Sequence, residues 1–212
     1  MPLYCPRAFR APAASGPTLA EAWPFATLIT PMADDEPWIS HLLMLPDPDD
    51  AGALLGHLSA ASGHCRVLFG QPSVAIFHGP HSYVSPRWYV SPGPQVPTWN
   101  YTVAHAHGRA APLDDEGARQ VLVQLSQVLE PAGGWAPDFG LAPVAAELPG
   151  LVAFRFHVSR WDVKTKLSQN RTQEDRAAVA RHLAQGDAMA RAVAAAMEDP
   201  PPSGAASAAP EA

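Results

Sequence analysis

Short runs of β-branched and aromatic residues, each ended by proline, glycine or an acidic turn, constrain this chain more than any other feature. WPFATLIT (Trp23 to Thr30) and WISHLLML (from Trp38) flank the turn-like MADDEP and read as a hairpin. Ser73 to Phe77 reads as a buried strand, and Trp99 to Arg109 as a strand with Thr102, Ala104, Ala106 and Gly108 on one face. LVAFRFHVSRWDV (from Leu151) is the strongest strand signal. Ala53 to Ser62 fits either a strand or a strand running into a short helix.

Helical spacing is confined to a few places. Asp114 to Leu129 has an acidic first turn and apolar residues at Ala118, Val121, Leu122, Leu125 and Leu129. A short helix is expected near Ala142 to Leu148, and another over Thr172 to Ala184, with Thr172 as N-cap and Asp175 at N3. Strands in succession with few inserted helices do not give βαβ alternation. They predict a mainly β (α+β) fold, an antiparallel barrel with peripheral helices. Residues 1–190 are expected to form one domain, and the Ala/Pro/Ser-rich 191–212 a disordered tail.

Composition excludes several classes. A net charge of −6 gives no support to a large nucleic-acid footprint, which needs cations against phosphates. Cys5 and Cys65 form no CxxC pair, so neither a disulfide framework nor a structural zinc site is expected. The histidine pairs His105/His107 and His78/His81 have no accompanying acid, and no metal site is assigned. No apolar run approaches the roughly 18 residues of a membrane span, and the N-terminus has no basic-then-apolar leader, so a cytoplasmic protein is expected.

Cations nevertheless concentrate in one place. Eight of the 14 Lys and Arg residues lie between Arg155 and Arg191, against four acids, and both lysines, Lys164 and Lys166, are among them. This fits either a solvated face or an anion site. Arg171 and Arg176 read as surface residues of the closing helix. The segment His78 to Pro97 reads as a long aromatic loop, uncommon in a compact domain without a task. There is no GxGxxG or GxxxxGK[ST] cradle.

Four strings carry an identification: Ser40-His41-Leu42; Gly56-His57-Leu58; FHGPHSYVSPRWY (Phe77 to Tyr89) followed by PTWNY (Pro97 to Tyr101); and KTKLSQNR (Lys164 to Arg171). In this order and separation they resemble the PaiB-like family of FMN-binding negative transcriptional regulators. The resemblance runs from about Met1 to Leu183. It implies an FMN-binding split barrel, similar to pyridoxamine phosphate oxidase and flavin reductases, working as a homodimer with FMN as cofactor. Two departures stand out: Leu43 replaces a proline after His41-Leu42, and GHLSAASG (Gly56 to Gly63) replaces a run that usually carries an Asn and an Arg.

The resemblance marks His41 and His57 as site residues. Tyr83, Ser85, Trp88, Tyr89 and Trp99 could wall a flavin ring, and Asn100, Gln169 and Asn170 could meet its alternating donor and acceptor edge. Thr98 completes the PTWNY string. Lys164, Lys166 and Ser168 fall in phase on an extended segment, as a phosphate site requires. The family reading is an FMN-binding regulator. The alternatives are an FMN-dependent oxidoreductase or haem-handling enzyme, with haem as a second possible ligand, and a dimeric module that has lost its flavin. No catalytic residue is assigned, and DNA as a partner has no support in the charge.

Overall fold

The structure is a computed structural model and describes residues 3–33 and 35–198. The first two apolar runs form the expected hairpin, β2 (Phe25–Thr30) and β3 (Trp38–Pro46), in antiparallel register from Phe25↔Leu43 to Thr30↔Trp38. A short strand β1 (Arg10–Ala11) and helix α1 (Ser15–Ala22) precede it. Ala53–Ser59 resolves as a strand, β4, and the helix that follows, α2, waits until Cys65–Leu68. The strand is fixed by seven consecutive pairs with β7 (Leu151–Lys166), from Ala53↔His157 to Ser59↔Leu151.

The aromatic segment after Phe77 is not wholly a loop. Strand β5 spans Ser73–Val84, and only Ser85 onward leaves the sheet, through a single 3-10 turn at Pro86–Trp88. Strand β6 runs over Thr98–Pro112, with Ala104, Ala106 and Gly108 buried on the expected face and Thr102 half-buried. The order β1-β7-β4-β3-β2-β5-β6, with β6 also pairing β7, closes the seven strands into an antiparallel barrel.

The chain divides into two compact units. The first gathers residues 3–16, 78–104 and 162–198 of the described chain, the second 17–77 and 105–161. In the second, Leu28, Met44, Leu45, Leu54, Phe77, Phe154 and Phe156 are sealed from water, each contributing about 1.5–3 kcal/mol on burial. Helix α3 (Asp115–Leu129) lays Ala118, Val121 and Leu125 on Leu45, Leu55 and Ala153, and the Asp114 side chain caps it by accepting from Gly117 N at 2.9 Å. Leu129, expected on the apolar face, is exposed. Helix α4 is short, Ala142–Ala145.

In the first unit, α5 (Gln173–Leu183) and α6 (Ala188–Glu198) build a separate core from Val179, Leu183, Val193 and Met197, joined by Val84, Tyr89 and Leu167. Thr172 caps α5, its hydroxyl accepting from Asp175 N at 3.2 Å. Helix α6 occupies the first part of the segment that composition assigns to a disordered tail. Alanine is the best helix former, and Ala190, Val193, Ala194 and Met197 recur at the spacing that buries one face. The remainder of that segment lies outside the described residues.

Candidate functional site

Strand β7 delivers both lysines to the first unit, where they meet different partners. The Lys164 ammonium is buried, donates to Tyr4 O at 3.0 Å and sits 5.3 Å from the ring centres of Tyr4 and Tyr101. Lys166 is half-buried and donates to Thr98 Oγ1 and, at 3.1 Å, to Trp99 O. Desolvation, with Lys164 and Arg171 nearby, pushes the Lys166 ammonium below the usual lysine range.

The strand ends at Lys166, so the two-residue alternation expected to bring Ser168 into phase stops there. Ser168 has φ 62°, a left-handed conformation unusual for a side-chain-bearing residue. Its hydroxyl is engaged reciprocally with Asn100, accepting from Nδ2 at 3.0 Å and lying 3.2 Å from Oδ1. Gln169 folds back over the same turn, accepting from Leu167 N at 2.7 Å and donating to Thr165 O at 2.5 Å. Asn170 is exposed.

The aromatic residues separate into two groups. Tyr83 and Trp99 are each 46% exposed and lie 6.5 Å apart, with the His81 ring stacked 5.9 Å from Trp99. Together they form an open shelf next to Lys166. Tyr89, by contrast, belongs to the α5/α6 core, and Trp88 stacks on His182 at 5.3 Å. Ser85 caps the turn by accepting from Arg87 N at 3.2 Å. His41 and His57 lie in the other unit. His41 is exposed, with Nδ1 3.1 Å from Thr27 Oγ1, and His57 has a buried Nδ1 without a partner and a pKa lowered by burial.

Two residues at this site escaped the sequence reading. Arg171 is not a free surface group: it donates to Gln95 Oε1 at 2.9 Å, and its guanidinium lies 4.4 Å over the Tyr89 ring. Asp175 is buried and accepts from Val90 N at 2.8 Å and Ser91 N at 2.9 Å, bonds that hold its carboxyl below the ordinary range. It thereby fixes the segment following Tyr89. Its only sequence signal was its N3 position on α5. Asp175→Ala should accelerate amide hydrogen exchange at Val90 and Ser91, with little change on β4.

The donor set fits a phosphorylated flavin. Crowded cations at Lys166 are relieved by a dianion, and the exposed shelf of Tyr83 and Trp99 offers flat apolar surface. Comparison with known proteins agrees on the class. A family model described as "Putative FMN-binding domain" matches residues 3–160. The chain is 32% identical over 156 residues to Protease synthase and sporulation protein PAI 2 of Bacillus subtilis, covering 71% of this chain and 74% of that protein.

The chain therefore belongs to the PaiB-like FMN-binding family, and FMN is the cofactor which that membership assigns. Solved structures with the same fold include the FAD and heme binding protein from Mycobacterium smegmatis, with TM-score 0.59 and 20% identity over 79% of this chain and 78% of that one. Flavocytochrome Anf3 from Azotobacter vinelandii follows, with TM-score 0.60 and 18% identity over 79% and 74%. At these identities the likeness concerns the split-barrel fold. Among the described residues, no helix is long and apolar enough to cross a membrane.

Proposed function

We propose that this protein is an FMN-binding regulator that works as a homodimer, with the flavin phosphate held at Lys166. The supporting observation is the Lys166 ammonium, crowded by Lys164 and Arg171 at the end of β7 and adjoining the open shelf of Tyr83 and Trp99. In this reading Lys166 neutralises the phosphate and Thr98 orients the ammonium. Lys164 shapes the site from behind, because its own hydrogen bond and ring contacts hold it to Tyr4 and Tyr101. Asn100 and Ser168 lock the turn, Gln169 braces it from within, and Asn170 is left exposed to meet the flavin. Bound FMN supplies reversible electron transfer, and the chain supplies its binding and orientation.

Dimerisation is supported by the outer face of the β2–β3 hairpin in the second unit. Phe25 pairs with Leu43, Thr27 with His41 and Ile29 with Ile39, and Phe25 and Ile39 are 63% and 53% exposed. An apolar sheet face of this kind gains stability when a second copy covers it. Sedimentation as a monomer at micromolar concentration would remove the homodimer. Acidic composition favours control through a metabolic or protein partner over direct duplex binding.

Lys166→Ala should weaken FMN binding by about 1.5–3 kcal/mol, roughly 10- to 150-fold, the scale of a hydrogen bond to a charged group. Riboflavin, which has no phosphate, should bind equally to both forms. Equal loss for FMN and riboflavin would place Lys166 at the ring, and unchanged FMN affinity would remove it from the site. The wild-type preference for FMN over riboflavin should fall with rising pH below the usual lysine range, because the lowered pKa lets Lys166 lose its charge early.

A further inference from the structure

Between the 3-10 turn at Pro86–Trp88 and the start of β6 at Thr98, the chain has little of its own to hold it. Pro92, Pro94 and Pro97 have no amide hydrogen to give, Gly93 sits at φ 99°, and among the described residues no main-chain to main-chain hydrogen bond involves residues 89–97. Past Tyr89, no residue up to Pro97 is buried, and Val90 and Val96 are 60% and 64% exposed. The conformation of this loop therefore rests on side chains, and they gather at the start of α5.

Asp175 takes the first half, accepting from Val90 N at 2.8 Å and Ser91 N at 2.9 Å. Arg171 takes both ends. Its guanidinium lies 4.4 Å over the Tyr89 ring and donates to Gln95 Oε1 at 2.9 Å, while the Gln95 amide donates to Ser91 O at 3.5 Å. A planar guanidinium can stack on one residue and fork to another at once, a geometry that a point-charge ammonium does not match. Arg171 is itself fixed, its amide donating to Ser168 O at 3.0 Å directly before the Thr172 N-cap.

From Gln95 the chain reaches Thr98 within about 11 Å even when fully extended. Thr98 Oγ1 and Trp99 O are the acceptors of the Lys166 ammonium, so the anchor at Gln95 bears on the groups that orient it. Burial, then Lys164, then Arg171 hold that ammonium below the usual lysine range, which also puts the guanidinium within electrostatic reach of it.

We propose that Arg171 is a positioning residue for the flavin phosphate: by clamping Tyr89 and Gln95 it sets the Thr98 and Trp99 oxygens that aim the Lys166 ammonium, and with them the preference for phosphorylated over unphosphorylated flavin. The inference rests on the reading of Lys166 as the phosphate ligand. It gives the last residue of KTKLSQNR a role distinct from that of its lysines.

FMN and riboflavin are titrated into the full chain and into Arg171→Met, Arg171→Lys, Gln95→Leu, Lys166→Ala and the Lys166→Ala/Arg171→Met double variant. Arg171→Met, Arg171→Lys and Gln95→Leu should each weaken FMN binding about three- to tenfold, the scale of one lost hydrogen bond, and riboflavin binding less than about twofold. The double variant should bind FMN no more weakly than Lys166→Ala, because a residue that acts through Lys166 then has nothing left to position. Amide exchange at Val96 and Trp99 should rise in Arg171→Met while that of β4 stays as in wild type. Additive losses in the double variant, wild-type FMN affinity in Arg171→Lys or Gln95→Leu, or equal losses for FMN and riboflavin would each overturn the inference. If Lys166→Ala binds FMN as wild type does, the phosphate reading fails and the inference with it; a loss in Lys166→Ala without one in Arg171→Met overturns the inference alone.

Discussion

Gly108→Ala should cost about 3–5 kcal/mol of folding stability, a large share of the 5–15 kcal/mol that holds a typical domain together. A Cβ at this position of β6 would lie 2.2 Å from His157 O and 2.7 Å from the Phe156 ring. Neither neighbour can yield cheaply. The carbonyl is main chain within β7, and the Phe156 side chain is sealed in the core. The strands must separate locally, and β6 against β7 is the pairing that closes the barrel. Urea denaturation should show a lower midpoint with an unchanged slope. Gly150→Ala provides the control: a Cβ there meets nothing within 4 Å, and the change should stay within about 0.5 kcal/mol. A Gly108→Ala midpoint equal to wild type would mean that the β6–β7 contact is looser than described.

Much of this barrel was legible in the sequence because its strands alternate or run apolar between strong stops. The β2–β3 hairpin, the core of β7 and helices α3 and α5 all follow from local pattern, and both helices carry the caps that their sequences promise. The errors have physical causes. Pro80 reads as a break, yet proline is tolerated in a strand where no amide is needed, so β5 continues to Val84. The β4 run is ambiguous in isolation, and only its pairing with β7 makes it a strand. The tail reading weighed the proline and small-residue content of the whole segment, and missed the helical recurrence that seats α6 on α5.

The candidate site divides in the same way. The motifs singled out Thr98, Trp99 and Lys166, which the structure joins by hydrogen bonds. They could not tell Tyr83 and Trp99, on the open shelf, from Tyr89, in a core, because aromatic residues serve both uses. Nor could they show that Arg171 turns back onto Tyr89, since that contact bridges a sequence separation of 82 residues.

His64 carries the second large effect, through a network that no motif signals. Its ring is fully buried, stacked 6.2 Å from Trp38, with Nδ1 2.8 Å from Ser40 Oγ and Nε2 2.8 Å from Thr30 Oγ1. Thr30 continues the chain to Ser73 at 2.7 Å. A neutral imidazole donates from one nitrogen and accepts at the other, so it satisfies both hydroxyls. His64→Phe keeps the volume and the stacking but removes both hydrogen bonds. It should destabilise by about 1–3 kcal/mol, because the half-buried Ser40 hydroxyl loses its partner and the buried Thr30 hydroxyl keeps only Ser73. His64→Ala, which adds a cavity, should cost about 3–5 kcal/mol.

Burial pushes the His64 pKa below its ordinary value of 6.5, so between that value and the folded-state pKa the unfolded chain binds a proton that the folded chain does not. Stability is therefore full above pH 6.5 and falls as the pH drops through it. The limit is about 1.4 kcal/mol per pH unit for one such group. His57 and His78 are shifted in the same direction. Unfolding free energies measured between pH 5 and 8 should thus show a shallower acid slope in His64→Phe than in wild type. Parallel slopes would mean that His64 accepts its proton within the fold, and that the Ser40–His64–Thr30 chain can reorient to hold an imidazolium.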